Sequence, residues 1–273
     1  MNKTYEVRPG QSIELLKELH ILTRDGKMNQ DSRRKLKQVY HLFQFIEPLL
    51  LESKNQHEEV TLVDHGAGKS YLGFLLYDLF FKESAKTGRI WGVETRQELV
   101  DRSRELADRL GFLGMSFVHQ SVSKSLSNAD MPEQVDLVTA LHACDTATDD
   151  AIRFALEKKA KHIVLVPCCQ AEVASFLRKN KAKQLAKSAL SELWRNPIHT
   201  REFGSLITNV MRCLQLESHG YQVTVTELVG WEHSMKNELI VASFKNLPCA
   251  KPMQRRAELL DTLGLNEMTD RFE

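Results

Sequence analysis

The 273-residue chain lacks the features of a membrane protein and of a disulfide-rich secreted protein. Its longest apolar run, LGFLLYDLFF, is far shorter than the ~20 residues that a bilayer-spanning helix needs, and its first residues contain no apolar signal-peptide core. The five cysteines are an odd number and form no CxxC pair, so the sequence predicts neither a disulfide framework nor a metal site. We therefore expect a cytoplasmic protein that makes no contact with a membrane.

The chain also lacks a net charge of either sign, since 36 acidic residues balance 37 lysines and arginines. The electrostatic field of the whole protein therefore does not favour a polyanionic partner, and any basic surface must be local. Two segments are locally basic: Arg33–Lys37, and Arg178–Lys187, which contains Lys181, Lys183 and Lys187 and no acidic residue. Such segments suit RNA, and they equally suit a solvated helix face.

The spacing of apolar residues changes along the chain. One apolar stripe predicts a helix over residues 31–51, and from about residue 59 short apolar strands alternate with helical segments. This alternation predicts an α/β fold with a doubly wound, seven-stranded, mostly parallel sheet. The last two strands, YQVTVTELV and ELIVASF, have a short connection, which indicates an antiparallel pair. We predict an N-terminal helical extension over 1–57, the sheet domain over 58–246 and a tail with a short helix over 247–273.

The first predicted strand ends in a glycine-rich loop, DHGAGKS, for which three ligands compete. A P-loop requires a first glycine where Val63 stands. A dinucleotide loop requires a third glycine where Tyr71 stands. S-adenosylmethionine has no pyrophosphate, so Gly66 and Gly68 alone would let the backbone pass close beneath it. A plain strand-to-helix turn explains the loop taken by itself.

Acidic and polar residues follow the first three strands at the edge where such folds bind ligands. Asp64 ends the first strand and can face the ammonium group of S-adenosylmethionine, directly or through water. Glu94 ends the second strand, RIWGVE, and can accept hydrogen bonds from both ribose hydroxyls. Gln120 and Ser121 follow the third strand, where many methyltransferases carry an aspartate for the adenine amino group. This succession favours S-adenosylmethionine over a nucleotide.

The loop after the fourth strand, LHACDTATD, is the most unusual polar stretch of the chain. His142, Asp145 and Asp149 are the candidate catalytic residues, because polar strand-end loops carry the chemistry of this architecture. Helix capping by Asp145 or Thr146 is the alternative, but capping would not require His142 or Cys144. An NPPY-like motif is absent, which argues against methylation of a base amino group.

The fifth predicted strand ends in VPCCQ and should lie beside the fourth. The predicted substrate-side residues are Cys168, Cys169, Gln170, Lys181, Lys183 and Lys187. A nucleophilic cysteine, as in enzymes that methylate cytosine carbon, requires thiolate character and exposure. Small buried cysteines that line a tight pocket are the favoured interpretation.

Several segments resemble a known family: DHGAGKSYLGFLL, LHACDTATDDAI, VPCCQ, MKNELIVASF and the helix KLKQVYHLFQFI. This is the methyltransferase-domain family that includes methyltransferase-like protein 25 and the glutathione S-transferase C-terminal-domain-containing protein. HACDTATD with the later cysteine pair is also similar to tRNA 2′-O-methyltransferases that carry an HLCGxATD loop and a CCHH motif. Asp145 stands where those enzymes have glycine, and Gln170 where they have histidine.

The resemblance implies a class I fold that binds S-adenosylmethionine and assigns positions around the cofactor. These are Asp64, Gly66, Ala67 and Gly68 at the methionine part, Glu94 at the ribose, Gln120 and Ser121 at the adenine, and His142, Ala143 and Cys144 beside the methyl donor. Three hypotheses about function follow. The chain methylates RNA, with tRNA as the substrate class; it methylates a protein side chain; or it is a non-catalytic module that binds S-adenosylmethionine. Binding through phosphates would weaken steeply with salt, which separates the first hypothesis from the others.

Overall fold

The computed structural model describes residues 6–84, 86–141, 143, 146–167, 170–179, 189–228 and 238–273. The strands in these residues are β1 Thr61–His65, β2 Arg89–Glu94, β3 Met115–His119, β4 Leu137–Leu141, β5 His162–Val166, β6 Tyr221–Glu227 and β7 Glu238–Phe244. They form one sheet in the order β3-β2-β1-β4-β5-β7-β6. The pairs from β3 to β5 are parallel, and β7 is antiparallel to both β5 and β6. The predicted doubly wound sheet with an antiparallel last pair is confirmed.

Helices cover both faces of the sheet. They are α1 Ile13–Glu18, α2 Gln30–Lys54, α3 Tyr71–Leu76, α4 Lys82–Ser84, α5 Gln97–Leu110, α6 Val122–Ser125, α7 Thr146–Glu157, α8 Glu172–Lys179, α9 Pro197–Glu217 and α10 Ala250–Leu263. Turns of 3₁₀ helix lie at Ala189–Trp194 and Asn266–Arg271. Across the described ranges, every helix is too short or too polar to cross a membrane.

The central strands are apolar because helices cover them on both sides. All five residues of β5, HIVLV, are buried, as expected for a parallel strand in the middle of such a sheet. In the edge strand β6, by contrast, Tyr221 is the one buried residue, and the others are partly or fully exposed. Because β2, β1 and β4 are parallel neighbours, their carboxyl ends lie at the same edge in the middle of the sheet, where a ligand can be held.

The predicted helix of residues 31–51 is observed as α2, and its direction places its first turns at that carboxyl edge. Its side chains Leu36, Phe43 and Ile46 are buried against the sheet. Near its end, the Glu52 carboxylate lies 3.3 Å from Lys161 Nζ and 3.2 Å from Lys245 Nζ. Because Lys161 immediately precedes β5, the end of α2 lies at the amino edge, and its beginning lies at the opposite edge.

Helix α1 was not predicted, because the sequence around it reads as a polar segment. Ser12 begins this helix, and its backbone N–H lies 3.1 and 3.0 Å from the two carboxylate oxygens of Asp78. Asp78 belongs to a π-helical turn, Tyr77–Phe81, that continues α3. A π turn inserts an extra residue and changes which side chains face inwards. The segment SYLGFLLYDLFFKESA predicts one uninterrupted helix, and the π turn corrects this prediction.

The segment FGSLITNVMRCLQLESHG predicts a helix from Phe203 onwards, and the observed helix α9 begins earlier, at Pro197. Proline is favoured in the first turn because its missing N–H would lack a helical partner there. Trp194, just before the helix, is buried and stacks on Phe203 with ring centroids 5.1 Å apart. The predicted short helix of the tail is α10, and its residue Leu263 packs in one apolar cluster with α8 and α9.

The close approach of α8 and α9 depends on Gly204. A Cβ atom at this position would lie 2.7 Å from the backbone nitrogen of Ala174. We expect Gly204→Ala to lower the free energy of unfolding by about 1–3 kcal/mol, because the cost of the steric clash is larger than the free energy gained from the higher helix propensity of alanine. Urea unfolding measures this change. Leu206→Ala, at an exposed position of the same helix, is the control, and equal stability of Gly204→Ala and wild type would contradict the prediction.

Candidate active site

A cavity of about 660 Å³ lies at the carboxyl end of β1, which is within the usual size range for small-molecule sites. One wall is the loop Gly66–Lys69 with Asp64. The opposite wall comes from the N-terminal helices and includes His20, Lys35 and Phe43. The cavity thus lies between the predicted cofactor loop and the N-terminal helical extension.

The loop after β1 requires both of its glycines. Gly66 and Gly68 have φ values of +63° and +58°, a left-handed conformation that glycine adopts without a steric penalty. A Cβ atom on Gly66 would lie 3.4 Å from Ala143, so the loop packs directly against the segment that follows β4. The N–H of Ala67 donates to the carbonyl oxygen of Val93 at 3.1 Å and fixes the loop to β2.

Asp64 is a buried carboxyl group in the wall of this cavity. Thr139 on the neighbouring strand β4 donates a hydrogen bond from Oγ1 to Asp64 Oδ1 at 2.6 Å. Burial raises the pKa of Asp64 to about 7, and the hydrogen bond from Thr139 offsets part of this effect. A cationic group in the cavity would favour the ionised form of Asp64. The ammonium group of S-adenosylmethionine is such a cation, and the ionised carboxylate would pair with it.

Glu94, at the end of β2, holds the loop in place. Its Oε2 accepts the N–H of Gly68 at 2.7 Å, and its Oε1 accepts the N–H of Thr95 at 2.9 Å and both the N–H and the Nε of Arg96 at 3.0 and 3.1 Å. Burial by itself would raise the pKa of Glu94, but the hydrogen bonds from Arg96 and Gly68 outweigh burial and lower this pKa. The carboxylate is therefore ionised at neutral pH.

Gln120 and Ser121 lie beside Glu94, because β3 pairs with β2 in a register that sets His119 opposite Glu94. The backbone N–H of Gln120 donates to the carbonyl oxygen of Glu94 at 3.0 Å. The Gln120 side chain accepts a hydrogen bond from Asn128 at 3.2 Å. The structure thus brings the predicted ribose and adenine positions together at one edge of the sheet.

Many predicted catalytic and substrate positions cannot be placed. Outside the described residues lie His142, Cys144, Asp145, Cys168, Cys169, Lys181, Lys183 and Lys187. Their assigned roles stay predictions. Of the same two loops, Ala143 is buried, and its carbonyl oxygen accepts a hydrogen bond from Thr148 Oγ1 at 2.5 Å.

Asp149 and Gln170 face the interior between helices. Both carboxylate oxygens of Asp149 accept hydrogen bonds from Arg212, at 2.8 and 2.7 Å, and Arg271 donates a third at 2.6 Å. Gln170 is buried, and its side-chain amide lies 2.7 Å from that of Asn209. The predicted catalytic role of Asp149 and substrate role of Gln170 are not tested by this placement and stay predictions.

Lys35 and Arg96 are among the cavity residues that sequence reasoning missed as site residues. Lys35 donates to the carbonyl oxygen of His20 at 2.7 Å and lies 2.8 Å from Asp31. Arg96 lies over Gly68 and pairs with Glu94 at 3.1 Å. The sequence assigned Lys35 only to a basic segment, because neither α1 nor the direction of α2 can be read from apolar periodicity. Arg96 immediately follows the Glu94 strand end, which was the one available signal.

Comparison with known proteins gives both a family and relatives. The family model described as "Methyltransferase domain" matches residues 34–176, slightly more than half of the chain. The glutathione S-transferase C-terminal domain-containing protein of Bos taurus is 23% identical over 236 residues, which cover 80% of this chain and 34% of that protein. The chain therefore spans about a third of the length of the curated relative that it matches.

Two solved structures are similar in shape. Magnesium protoporphyrin IX methyltransferase from Synechocystis PCC 6803 with bound SAH is 11% identical, with a TM-score of 0.44, and the match covers 85% of this chain and 93% of that one. Fibrillarin from Aeropyrum pernix with natively bound S-adenosyl-L-methionine is 13% identical, with a TM-score of 0.42 and coverages of 67% and 66%. Neither likeness carries a substrate over to this chain.

The strand order, the glycine-rich loop with Asp64 and Glu94, and the family match agree on one class of protein. The predicted cofactor is confirmed, and the P-loop and dinucleotide interpretations of the loop are set aside. The chain belongs to the methyltransferase-domain family.

Proposed function

We propose that this chain transfers the methyl group of S-adenosylmethionine to RNA, with tRNA as the substrate class. The observation that carries the proposal is the basic beginning of α2 beside the cofactor cavity. Lys35 lies in the cavity wall, and the neighbouring Arg33 and Arg34 are exposed. Lys69 and Arg96 line the same cavity and are exposed as well. In a chain of net charge +1, such a local excess of cations is most simply explained by a polyanionic substrate.

The loop sequences support the same substrate class. HACDTATD and the later cysteine pair resemble the corresponding motifs of tRNA 2′-O-methyltransferases, with Asp145 and Gln170 as departures from their pattern. In this proposal the loops after β4 and β5 receive the methyl acceptor. The basic residues of α2 contact phosphates, which fix orientation without reading sequence.

The residues at the carboxyl edge of the sheet fit the cofactor, and of these Asp64, Gly66, Ala67 and Gly68 line the cavity itself. The buried Asp64 carboxyl group has Thr139 as its one recorded hydrogen-bond partner among the described residues and can take the ammonium group. Among the described residues, one hydrogen bond reaches Glu94 Oε2, from the Gly68 N–H, and this oxygen keeps a lone pair for a ribose hydroxyl. Gly66, Ala67 and Gly68 provide backbone close to the methionine part, and Gln120 and Ser121 lie on the adenine side. S-adenosylmethionine supplies an electrophilic methyl group on a cationic sulfonium.

The test of the proposal is transfer of tritium from methyl-labelled S-adenosylmethionine into RNA and protein fractions from cells that lack this chain. We expect label in the RNA fraction, concentrated in tRNA. Label confined to protein would replace the proposal with protein side-chain methylation. Binding of S-adenosylmethionine without label in any fraction would indicate a non-catalytic module.

Glu94 should be required for cofactor affinity. Loss of charge-assisted hydrogen bonds in Glu94→Ala costs about 1.5–3 kcal/mol, so we expect S-adenosylmethionine affinity to fall roughly 10- to 100-fold. Isothermal titration calorimetry measures this change. The control is Glu98→Ala, at an exposed position in the first turn of α5. Unchanged affinity in Glu94→Ala would remove Glu94 from the site.

Asp64 should make the stability of the cofactor-free protein depend on pH. Its pKa is raised to about 7 in the folded state, against about 3.9 in an unfolded chain. Between these values the folded state binds more protons, so the free energy of unfolding falls as the pH rises from about 4 to about 7. Asp64→Asn stays neutral, and we expect it to be more stable than wild type at pH 8 by on the order of 3 kcal/mol and to lose this advantage near pH 4.

Urea unfolding of Asp64→Asn and wild type at several pH values checks this expectation. Asp101→Asn, at an exposed position of α5, is the control and should track wild type throughout. A stability difference between Asp64→Asn and wild type that does not vary with pH would contradict the raised pKa.

The basic segments should determine RNA affinity without affecting the cofactor. Replacing Arg33, Arg34 and Lys37 by Gln should weaken RNA binding and flatten its salt dependence by up to about 0.7–0.9 per lost phosphate contact. The same result is expected for the triple replacement of Lys181, Lys183 and Lys187. Filter binding over a series of salt concentrations measures both quantities.

The control removes three cations at the opposite edge of the sheet, by replacing Lys86, Lys158 and Lys159 with Gln. These residues precede β2 and β5, so RNA binding should stay as in wild type. If the variants of both basic segments bind RNA with the wild-type salt dependence, these segments are not the RNA site.

A further inference from the structure

A chain of four charged side chains links elements that are far apart in the sequence. Arg212 on α9 donates from Nε and Nη2 to the two oxygens of Asp149 in the first turn of α7, at 2.8 and 2.7 Å. Arg271, in the 3₁₀ turn Asn266–Arg271, donates from Nη2 to Asp149 at 2.6 Å. Its Nε lies 2.9 Å from Glu172 in the first turn of α8. Two arginines and two carboxylates thus alternate along one line of contacts.

Three of the four side chains of this cluster are buried or nearly so, and Glu172 at its end is 37% exposed. The side chains of Arg212, Asp149 and Arg271 are 0%, 2% and 15% exposed. Burial of charged groups costs free energy that their mutual attraction often only balances, and apolar side chains of similar volume can stabilise a fold equally well. A gain in stability is therefore a weak explanation for these charged groups. Hydrogen bonds between a guanidinium and a carboxylate group have fixed directions, so they hold the elements that carry them in one relative position.

The two carboxylates lie where the two loops of the active site end. Strands β4 and β5 are neighbours, with Leu141 opposite Val166 at their carboxyl ends. Asp149 lies in the first turn of the helix after the β4 loop, and Glu172 is the first residue of the helix after the β5 loop. Arg271 contacts both, so one side chain sets the separation between the starts of these helices.

Further polar contacts extend the cluster to a third strand. Arg212 Nη1 lies 3.3 Å from the Asn209 side chain, and the amides of Asn209 and Gln170 are 2.7 Å apart. Asn209 also donates to Glu238, the first residue of β7, at 2.7 Å. The segments after β4 and β5 and the beginning of β7 therefore share one buried network, which α9 carries.

We propose that Arg271 and Arg212 are positioning residues that set the geometry of the β4 and β5 loops for methyl transfer, and that Asp149 acts in this network rather than in catalysis. Both arginines lie outside residues 34–176, where the family model matches. The inference rests on the proposed function, because it assumes that the methyl acceptor is held by these two loops. A displacement of about 1 Å at reacting groups can lower a rate on the order of 100-fold, so a network remote from the reaction can control it.

The geometry requires arginine at position 271. Two different nitrogens of its guanidinium contact two carboxylates, at 2.6 Å and 2.9 Å. A lysine keeps the positive charge but presents one nitrogen in place of a planar fork. Arg271→Lys should therefore keep the positive charge of the cluster but no longer fix the distance between Asp149 and Glu172.

The experiment compares Arg271→Gln and Arg271→Lys with wild type and with Arg255→Gln. Arg255 is exposed on α10 and pairs with Glu217 at 2.8 Å, so its variant removes an arginine–glutamate pair away from the loops. Three quantities are measured: the S-adenosylmethionine Kd by calorimetry, kcat and KM for tritium transfer into the RNA fraction, and amide hydrogen exchange of peptides covering 146–157 and 172–179.

We expect Arg271→Gln to lower kcat by roughly 10- to 100-fold while the Kd for S-adenosylmethionine stays within about twofold of wild type, a change of less than ~0.5 kcal/mol. Both peptides should exchange faster together. Arg271→Lys should recover part of kcat but not the wild-type value, and Arg255→Gln should match wild type in all three measurements.

Several outcomes would overturn the inference. A wild-type kcat in Arg271→Gln would do so, as would faster exchange in only one of the two peptides. Equal losses of kcat and cofactor affinity, with Arg271→Lys no better than Arg271→Gln, would indicate general destabilisation. If the wild-type protein transfers no label to any fraction, the proposed function fails by itself, and the exchange of the two peptides still decides whether Arg271 couples the two segments.

Discussion

The hydrogen bond from the Gly68 N–H to the Glu94 carboxylate joins the two strand ends at which we propose that the cofactor binds. It exists because Gly68 adopts a left-handed conformation, which glycine reaches without a steric penalty. The N–H of Ala67 adds a second contact to β2. The loop is therefore held in shape by the sheet before a cofactor arrives, and a preorganised loop loses less conformational freedom on binding.

At this edge of the sheet the pKa values of two carboxyl groups are shifted in opposite directions. Asp64 has a single hydrogen-bond donor, Thr139, in the described structure, and burial raises its pKa to about 7. Glu94 is also buried, but backbone and guanidinium donors surround it, and its pKa is lowered. Local donors rather than residue type decide the charge. One group is ready to respond to a cationic ligand, and the other is a permanent acceptor that shapes the loop.

Helices from the N-terminal and C-terminal parts of the chain surround the site proposed for the cofactor and the methyl acceptor. The N-terminal helix α1 and the first turns of α2 form a wall of the cofactor cavity, and the Ser12–Asp78 and Lys35–His20 contacts hold this wall in place. On the other side, α9 and the turn Asn266–Arg271 contact the helices that follow β4 and β5. The sheet thus supplies the cofactor loop, while the flanking helices supply the surroundings of the loops where the acceptor is proposed to bind.

Four features could be predicted from the sequence: the alternation of strands and helices, the antiparallel last pair, the glycine loop and the acidic ends of β1 and β2. These features are local, because strand and helix periods and glycine-rich turns leave a pattern within a few residues of one another. The tertiary structure alone decided that Asp78 in a π turn anchors α1, that α2 brings Lys35 to the cofactor cavity, and that Asp149 meets Arg271 across 122 positions of the chain. A contact between such distant residues leaves no periodicity in a single sequence, since it depends on how the helices pack around the sheet.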